Sequence, residues 1–414
     1  MKILYIAHRI PYPPNKGDKI RTFNEIKYLS VFHEIHLACL ADNPEDLKYD
    51  KNLKKHCEKV KVIPLNTKLA KIKSLIALLS KSPLSVSYFY SRQLQRTINN
   101  WVSATQYDAV ICFCSTMAEY IFRSPQLNPV LNSNGPVLIM DFCDLDSEKW
   151  GQYANKSRFP FNIVYGIEHK RLFKYEKSIN NAFHHSVVVS PREKELFTEL
   201  YPSVKNITAI PNGVDYEYFS PYAKFDSIES GDSHSHPILV FTGAMDYYAN
   251  IEGVTWFCNE ILPGVKKTYP KVQFYIVGSN PASKVRELEN IQGVKVTGFV
   301  EDIRPYYQFA DVCVVPLRIA AGIQNKVLEA MSMGKPVVTT AKALDGIHAV
   351  IDEHVLVEDL PLKFSIAVTQ LLTSIEQRKT LGANARKFVK QKYNWEINMG
   401  HFERLLHASD LMGI

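Results

Sequence analysis

Between Val312 and Thr340 the chain sets a glycine, two cations and a carboxylate where an anion can be held. The apolar run Val312-Cys313-Val314-Val315-Pro316 reads as a buried strand and leads into the loop Leu317-Arg318-Ile319-Ala320-Ala321-Gly322-Ile323-Gln324. Asn325 is placed to cap a helix over residues 326–333, which Gly334 ends before Pro336 opens the next strand. In an open α/β sheet, ligands bind beyond the carboxyl ends of the strands, where a helix N-terminus offers N–H groups. Gly322 lets backbone approach a ligand closely. Lys326 stands in the first turn, where the helix dipole disfavours a cation unless an anion is near. That conflict points to a phosphate. The competing reading is a solvated Lys326 paired at i,i+3 with Glu329.

The elements that must position these residues follow from short apolar runs alternating with longer amphipathic stretches, the pattern of parallel α/β layers. Strands are expected over 2–7, 34–38, 60–64, 109–113, 136–141 and 186–190, with helices between them, for example 19–31 and 68–80. The pattern restarts with strands over 238–242, 272–277, 294–297, 312–316 and 336–340, and helices over 251–268, 283–290 and 325–333. Two doubly wound sheets in tandem result. The turn cluster Ile210-Pro211-Asn212-Gly213-Val214-Asp215 marks the join, and the polar stretch 226–237 reads as a linker. His234 and His236 fall in that linker and read as solvated rather than metal-bound.

Five motifs in order carry a resemblance over nearly the whole chain. The stretch from Gly322 to Val338, Gly-Ile-Gln-Asn-Lys-Val-Leu-Glu-Ala-Met-Ser-Met-Gly-Lys-Pro-Val-Val, resembles the donor-site signature of family 4 glycosyltransferases, which have the GT-B fold. Pro211-Asn212-Gly213-Val214-Asp215, Phe241-Thr242-Gly243, Val277-Gly278 and Gly298-Phe299 match the rest of that C-terminal domain. The strings Arg9-Ile10-Pro11-Tyr12-Pro13-Pro14-Asn15-Lys16-Gly17-Asp18-Lys19-Ile20-Arg21 and Asp141-Phe142-Cys143-Asp144-Leu145-Asp146-Ser147-Glu148-Lys149-Trp150 narrow the likeness to sugar transferases of PEP-CTERM/exosortase exopolysaccharide systems. The resemblance implies two Rossmann-like domains facing across a cleft: 1–208 for the acceptor, 209–392 for the nucleotide-sugar donor, and 393–414 as a C-terminal helix packing back on the first.

By motif position, the resemblance assigns Glu329 to the ribose hydroxyls and Gly322, Ile323 and Gln324 to backbone meeting the sugar. It puts Asn325 and Lys326 beside the diphosphate, Gly298 and Phe299 over the base, Gly243 at the donor-site strand end, and Gly17 in a loop closing on the phosphates. Three departures stand out. The family's second Glu, eight residues before the ribose Glu, is Ala321 here. The Arg and Lys that often follow the Gly243 strand are missing from Gly243-Ala244-Met245-Asp246-Tyr247-Tyr248-Ala249-Asn250, leaving Arg318 and Lys326 for the diphosphate. The family's acceptor-side His is replaced by Met140-Asp141-Phe142-Cys143-Asp144, which offers carboxylates.

Asp144-Leu145-Asp146 looks like the metal-binding D-x-D of the other glycosyltransferase fold, but that motif belongs to a single-domain architecture. Asp146 reads better as a helix cap before Ser147-Glu148-Lys149. Asp141 and Asp144 fall at a strand's carboxyl end, where acceptors dock. Lys326, Asp144 and Asp141 are therefore the catalytic candidates, with no metal and no cofactor; the nucleotide-sugar is a co-substrate. The burden is the negative charge developing on the leaving phosphate, which a helix N-terminus with Lys326 and Arg318 can stabilise. The resemblance implies retention of anomeric configuration.

Composition sets the outer limits. The 414 residues, 46% hydrophobic and 22% charged, suit an ordinary two-domain enzyme. Residues 1–210 carry 29 basic and 19 acidic side chains against 20 and 23 in residues 211–414, and residues 51–100 hold 11 basic side chains with Glu58 the lone acid. That block suggests an anionic membrane surface rather than nucleic acid. Within it, Leu69, Ile72, Ile76 and Leu79 lie at one-face spacing beside Lys68, Lys71 and Lys73, which fits either an interfacial helix or a core helix with solvated lysines. Seven cysteines without CxxC spacing read as buried thiols of a reducing compartment. With no 18-residue apolar run and no signal-peptide core, the expected location is the cytoplasm or the inner membrane face. The partners expected are a nucleotide-sugar donor and a saccharide or lipid-linked acceptor. The alternatives are a sugar-nucleotide epimerase of similar fold, which needs acid/base carboxylates facing the sugar, and a non-catalytic nucleotide-sugar-binding protein, encouraged by Ala321. A dinucleotide dehydrogenase is disfavoured because no G-x-G-x-x-G follows the first strand.

Overall fold

The computed structural model describes residues 1–132, 134–204, 206–225, 236–320 and 322–407. Most of the expected linker, 226–235 with His234, lies outside the described residues, as do Ala321 and the last seven positions of the 393–414 segment. The chain divides into two compact units, one of Met1–Pro211 with the chain from Glu396, the other of Asn212–Trp395.

In the first unit the described strands are β1 (Lys2–Ala7), β2 (Glu34–Ala41), β3 (Lys59–Pro64), β4 (Ala109–Phe113), β5 (Val137–Cys143), β6 (His185–Val188) and β7 (Ile207–Ala209). They pair in the order β3-β2-β1-β4-β5-β6-β7, every pair parallel. Helices cover both faces of such a sheet, so central strands read as unbroken apolar runs, and Ala109–Phe113 is buried throughout. Winding reverses between β1 and β4, whose last residues Ala7 and Phe113 lie in register. His8 and Cys114 follow directly, on the crevice where such sheets bind ligands.

The second unit repeats the plan with β8 (Ile238–Thr242), β9 (Gln273–Val277), β10 (Val294–Gly298), β11 (Val312–Val315), β12 (Val337–Thr339) and β13 (Leu356–Val357), ordered β10-β9-β8-β11-β12-β13 and again all parallel. Its winding reverses between β8 and β11. Gly243 follows the first of these and the loop to Asn325 follows the second.

Two strands were not anticipated. β7 and β13 have three and two residues, too few for alternation to show, and tertiary pairing at the sheet edge makes them strands. The expected helix 251–268 begins earlier, at Tyr248, and widens through a π turn at Phe257–Ile261 before continuing as Leu262–Thr268. The stretch expected as one helix over 68–80 is a helix over Thr67–Ile76 closed by the tighter turn Ala77–Leu79.

Candidate functional site

The strands β8 and β9 of the second unit end on glycines that touch. Gly243 N donates to Val277 O at 3.0 Å, and a Cβ on Gly278 would stand 1.7 Å from Gly243 O. A Cβ on Gly243 would stand 2.7 Å from Asn250 Nδ2 and 3.0 Å from Lys326 Nζ. Bare backbone is thus the condition for the ammonium to lie here. Lys326 is the second residue of the helix Asn325–Ser332, and its Nζ donates to Asn250 Oδ1 at 2.6 Å, 4.3 Å from the centre of the Phe241 ring. Its partners are a neutral amide and an aromatic face. Burial pushes its pKa down to about 7, with Glu329 acting in the opposite sense.

The solvated Lys326–Glu329 pair is not what forms. Glu329 is buried, and its Oε2 accepts from the Tyr307 hydroxyl at 2.8 Å, which in turn meets Thr242 Oγ1 at 2.6 Å. This chain of bonds ties the end of β8 to two helices, Arg304–Phe309 and Asn325–Ser332, and fixes the carboxylate. Burial raises its pKa, against the pull of Tyr307 and Lys326. Asn325, expected as a cap, is instead the first helical residue, and its Oδ1 accepts from Asn212 Nδ2 at 3.2 Å. The position before it, Gln324, makes no side-chain cap, so the helix opens without one.

Gly322 adopts φ +59°, and a Cβ on Gly346 would stand 2.6 Å from its carbonyl oxygen, so the loop passes backbone on backbone. Ile323 is buried beside it, and Gly322 and Gln324 are half-buried. Gly298 closes β10 at φ +69°, and the Phe299 ring that follows is 69% exposed. Arg318 takes a different place from the one expected. Its Nε donates to Glu252 Oε1 at 2.8 Å and its guanidinium lies 4.8 Å from the Trp256 ring centre, so its charge is already compensated. Lys326 is the cation this loop leaves facing a neutral partner.

At the crest of the first unit the two expected carboxylates separate. Asp141 is fully buried: Arg21 Nε donates to Oδ2 at 2.6 Å and Cys143 N to Oδ1 at 2.7 Å. Arg21 also pairs with Glu25 at 3.0 Å and donates to Ile210 O at 3.0 Å, and the Tyr5 hydroxyl donates to Glu25. Asp141 is therefore part of a closed ionic core with no carboxylate surface left for an acceptor, which corrects its reading as an acceptor-side group. Asp144, half-buried beyond β5, does stand at the strand end. Burial raises its pKa, Lys149 opposes, and Asp146 adds to the rise.

Asp146 is not the helix cap. It begins the helix Asp146–Lys156, and its carboxylate accepts from Lys149 Nζ at 2.8 Å and Ser115 Oγ at 3.1 Å. The helix start is met from elsewhere: Leu145 N donates to Glu193 at 3.1 Å and Ser147 N to Glu176 at 3.0 Å. Burial pushes the Glu176 carboxyl up to about 8. Gly17 is the exposed first residue of the helix Gly17–Leu29, which also opens without a side-chain cap.

His8 is not among the site residues expected from the sequence. It follows β1 at the switch point, and its Nε2 lies 3.1 Å from Asp18 Oδ2, which also takes Arg9 at 2.7 Å; Arg9 reaches Asp42 at 2.7 Å. Burial opposes its charge, but Cys114 and Asp18 prevail and push its pKa up to about 9. The Cys114 thiol is lowered in return, His8 outweighing burial. The signal was present in the sequence: a histidine directly after an apolar strand, the same argument that singled out Asp141.

The helix Thr67–Ile76 is not a core helix. Only Ala70 is buried on it, while Leu69, Ile72, Leu75 and Ile76 are exposed, and Leu79 just beyond is 93% exposed. Arg171 holds its far end, donating to the carbonyls of Ala77, Leu78 and Ser82. No helix among the described residues is long and apolar enough to cross a membrane.

Residues 236–374 match the family model described as "Glycosyl transferases group 1". A Klebsiella pneumoniae protein described as a 44.6 kDa protein in the cps region is 23% identical over 404 residues, 95% of this chain and 96% of that protein. Among solved structures, sucrose-phosphate synthase from Thermosynechococcus elongatus aligns with a TM-score of 0.69 at 19% identity, covering 99% of this chain and all of that one. Anabaena HepE, solved with UDP-glucose, aligns with a TM-score of 0.65 at 14% identity over 99% and 100%. At these identities the likeness establishes the fold: GT-B, as the motifs implied. The narrower PEP-CTERM association has no counterpart in these matches.

Proposed function

With a group 1 glycosyltransferase domain over residues 236–374 as the premise, we propose that this chain moves a sugar from a nucleotide-sugar donor to a saccharide or lipid-linked acceptor in exopolysaccharide or cell-envelope synthesis. The cps-region relative supports that setting, and the relative solved with UDP-glucose supports the donor class. The observation that carries the reading is Lys326: an ammonium at an uncapped helix start, against glycine backbone, with a neutral partner and a depressed pKa. Such a group is short of an anion, and a diphosphate supplies one.

In this reading Glu329, steadied by Tyr307, accepts from the ribose hydroxyls. The Phe299 ring faces the base, and Gly322 to Gln324 pass under the sugar. Asn325, held by Asn212, lines the diphosphate side with Gly243. Arg318 contributes only if it leaves Glu252. As the glycosidic bond to the phosphate breaks, Lys326 and the helix dipole stabilise the charge left on the nucleoside diphosphate, without a metal and with retention of configuration. Asp144, with its raised pKa, is the acceptor-side acid/base group. The test is incubation with a panel of nucleotide sugars; release of nucleoside diphosphate that increases with added acceptor supports transfer, and its absence with every donor removes the reading in favour of a binding protein.

The exposed stripe Leu69, Ile72, Leu75, Ile76 and Leu79, flanked by Lys68, Lys71 and Lys73, fits shallow insertion into an anionic bilayer on the cytoplasmic face. Reversing those three charges to Glu is expected to abolish sedimentation with anionic vesicles at low salt. Equal sedimentation of both proteins places any attachment elsewhere.

A further inference from the structure

A second constellation lies in the first unit, apart from the sugar-transfer machinery. The helix Trp395–His407 carries Glu403 and His407 one turn apart on a single face. Glu403 bonds to His33, which lies between the helix Gly17–Leu29 and β2, and the His407 ring centre lies 6.3 Å from that of His33. His33 Nε2 donates to Glu403 Oε1 at 2.7 Å, and His407 Nε2 donates to the same oxygen at 3.2 Å. All three groups offer ligand atoms within 4.8 Å of one another. The other carboxylate oxygen, Glu403 Oε2, is buried and has no hydrogen-bond partner among the described residues. Leaving such an atom unmatched costs about 1–3 kcal/mol.

We propose that His33, Glu403 and His407 form a binding site for a Zn²⁺-class transition-metal ion. In tetrahedral coordination with bonds of about 2.0–2.1 Å, neighbouring ligand atoms lie about 3.3 Å apart. The two contacts here, 2.7 and 3.2 Å, reach that spacing with shifts of tenths of an ångström. Two imidazole nitrogens and one carboxylate favour zinc over the oxygen-seeking Mg²⁺ or Ca²⁺. The His33 side chain is 5% exposed and that of His407 53%, so the site is anchored on one side and open on the other. Water takes the fourth position on the open side. The ion clamps the last described helix onto the unit that contains His33 and takes no part in the transfer, so the site stands independently of the glycosyltransferase reading.

The full chain, stripped with a chelator, is titrated with Zn²⁺ by calorimetry and followed by thermal unfolding. One ion per chain is expected, with a higher Tm, and Mg²⁺ does neither. His407→Ala removes an exposed ligand at little risk to the fold, and Glu403→Gln keeps the shape of the carboxylate. Each is expected to weaken zinc binding by more than about tenfold, the loss that even supporting groups produce at such sites, while nucleoside diphosphate release stays as in the native chain. No binding to the native chain, or equal binding to both variants, overturns the site and assigns any bound zinc to the thiols or to adventitious contact.

Discussion

The two switch points solve opposite electrostatic problems with the same topology. Where β1 and β4 part, His8 and Arg9 are paired with Asp18 and Asp42, and Asp146 takes Lys149. Where β8 and β11 part, glycine backbone surrounds Lys326, whose partner is an amide, and no acid stands in the first turn of its helix. One crest is self-compensated, which in the proposed function suits neutral acceptor hydroxyls; the other lacks an anion, which in that proposal a diphosphate supplies. Sheet topology therefore gives the place of a site, and charge balance gives its ligand.

The comparison breaks first, and with the largest effect, at the closed ionic core below the first crest. Asp141→Asn takes one of two carboxylates from the buried Arg21 and leaves it Glu25, and a loss of about 3 kcal/mol, the low end for breaking a buried pair, is expected. Chemical denaturation measures it. A loss below 1 kcal/mol would mean that Asp141 is open to solvent and reinstate it as an acceptor-side group.

Lys326→Met tests the other crest. Removing one pre-organised charge-stabilising group costs about 10²–10³ in kcat, with a smaller change in donor affinity if the charge grows during reaction. Steady-state kinetics separate the two; a rise in KM alone assigns Lys326 to ground-state binding. Glu329→Gln is expected to weaken nucleoside diphosphate binding by about 1–3 kcal/mol with the fold intact, read by calorimetry.

The smallest effect has a definite sign. Below pH 7 Lys326 is charged before the ligand arrives. Above it, the neutral Lys326 amine must take up a proton on binding the diphosphate, so affinity falls with rising pH by at most about tenfold per unit. Calorimetry in buffers of different ionisation enthalpy is expected to show proton uptake at pH 8, absent in Lys326→Met. For the unliganded chain the sign reverses. The folded pKa lies below the unfolded value of about 10.4, the unfolded chain binds more protons in between, and this group's contribution to stability rises with pH across that window.

Both doubly wound units, most strand positions and the glycine-bearing connection from β11 to the Lys326 helix were legible in the sequence, because apolar runs, glycines and helix signals are local. Lys326 was singled out by its conflict with the helix dipole, and Glu329 by its place in the motif. What only the tertiary structure decided was partnership. Asp141 and Asp144 lie three residues apart beside one strand, yet one is sealed by Arg21 from a helix 120 positions away and the other stands half-open. Arg318 and Lys326 both looked like phosphate cations until Glu252 and Asn250 divided them. His33 and Glu403, 370 positions apart, carried no shared signal at all. Residue type fixes what a side chain can do, but burial and the nearest charge fix what it does, and both depend on chain segments far away in sequence.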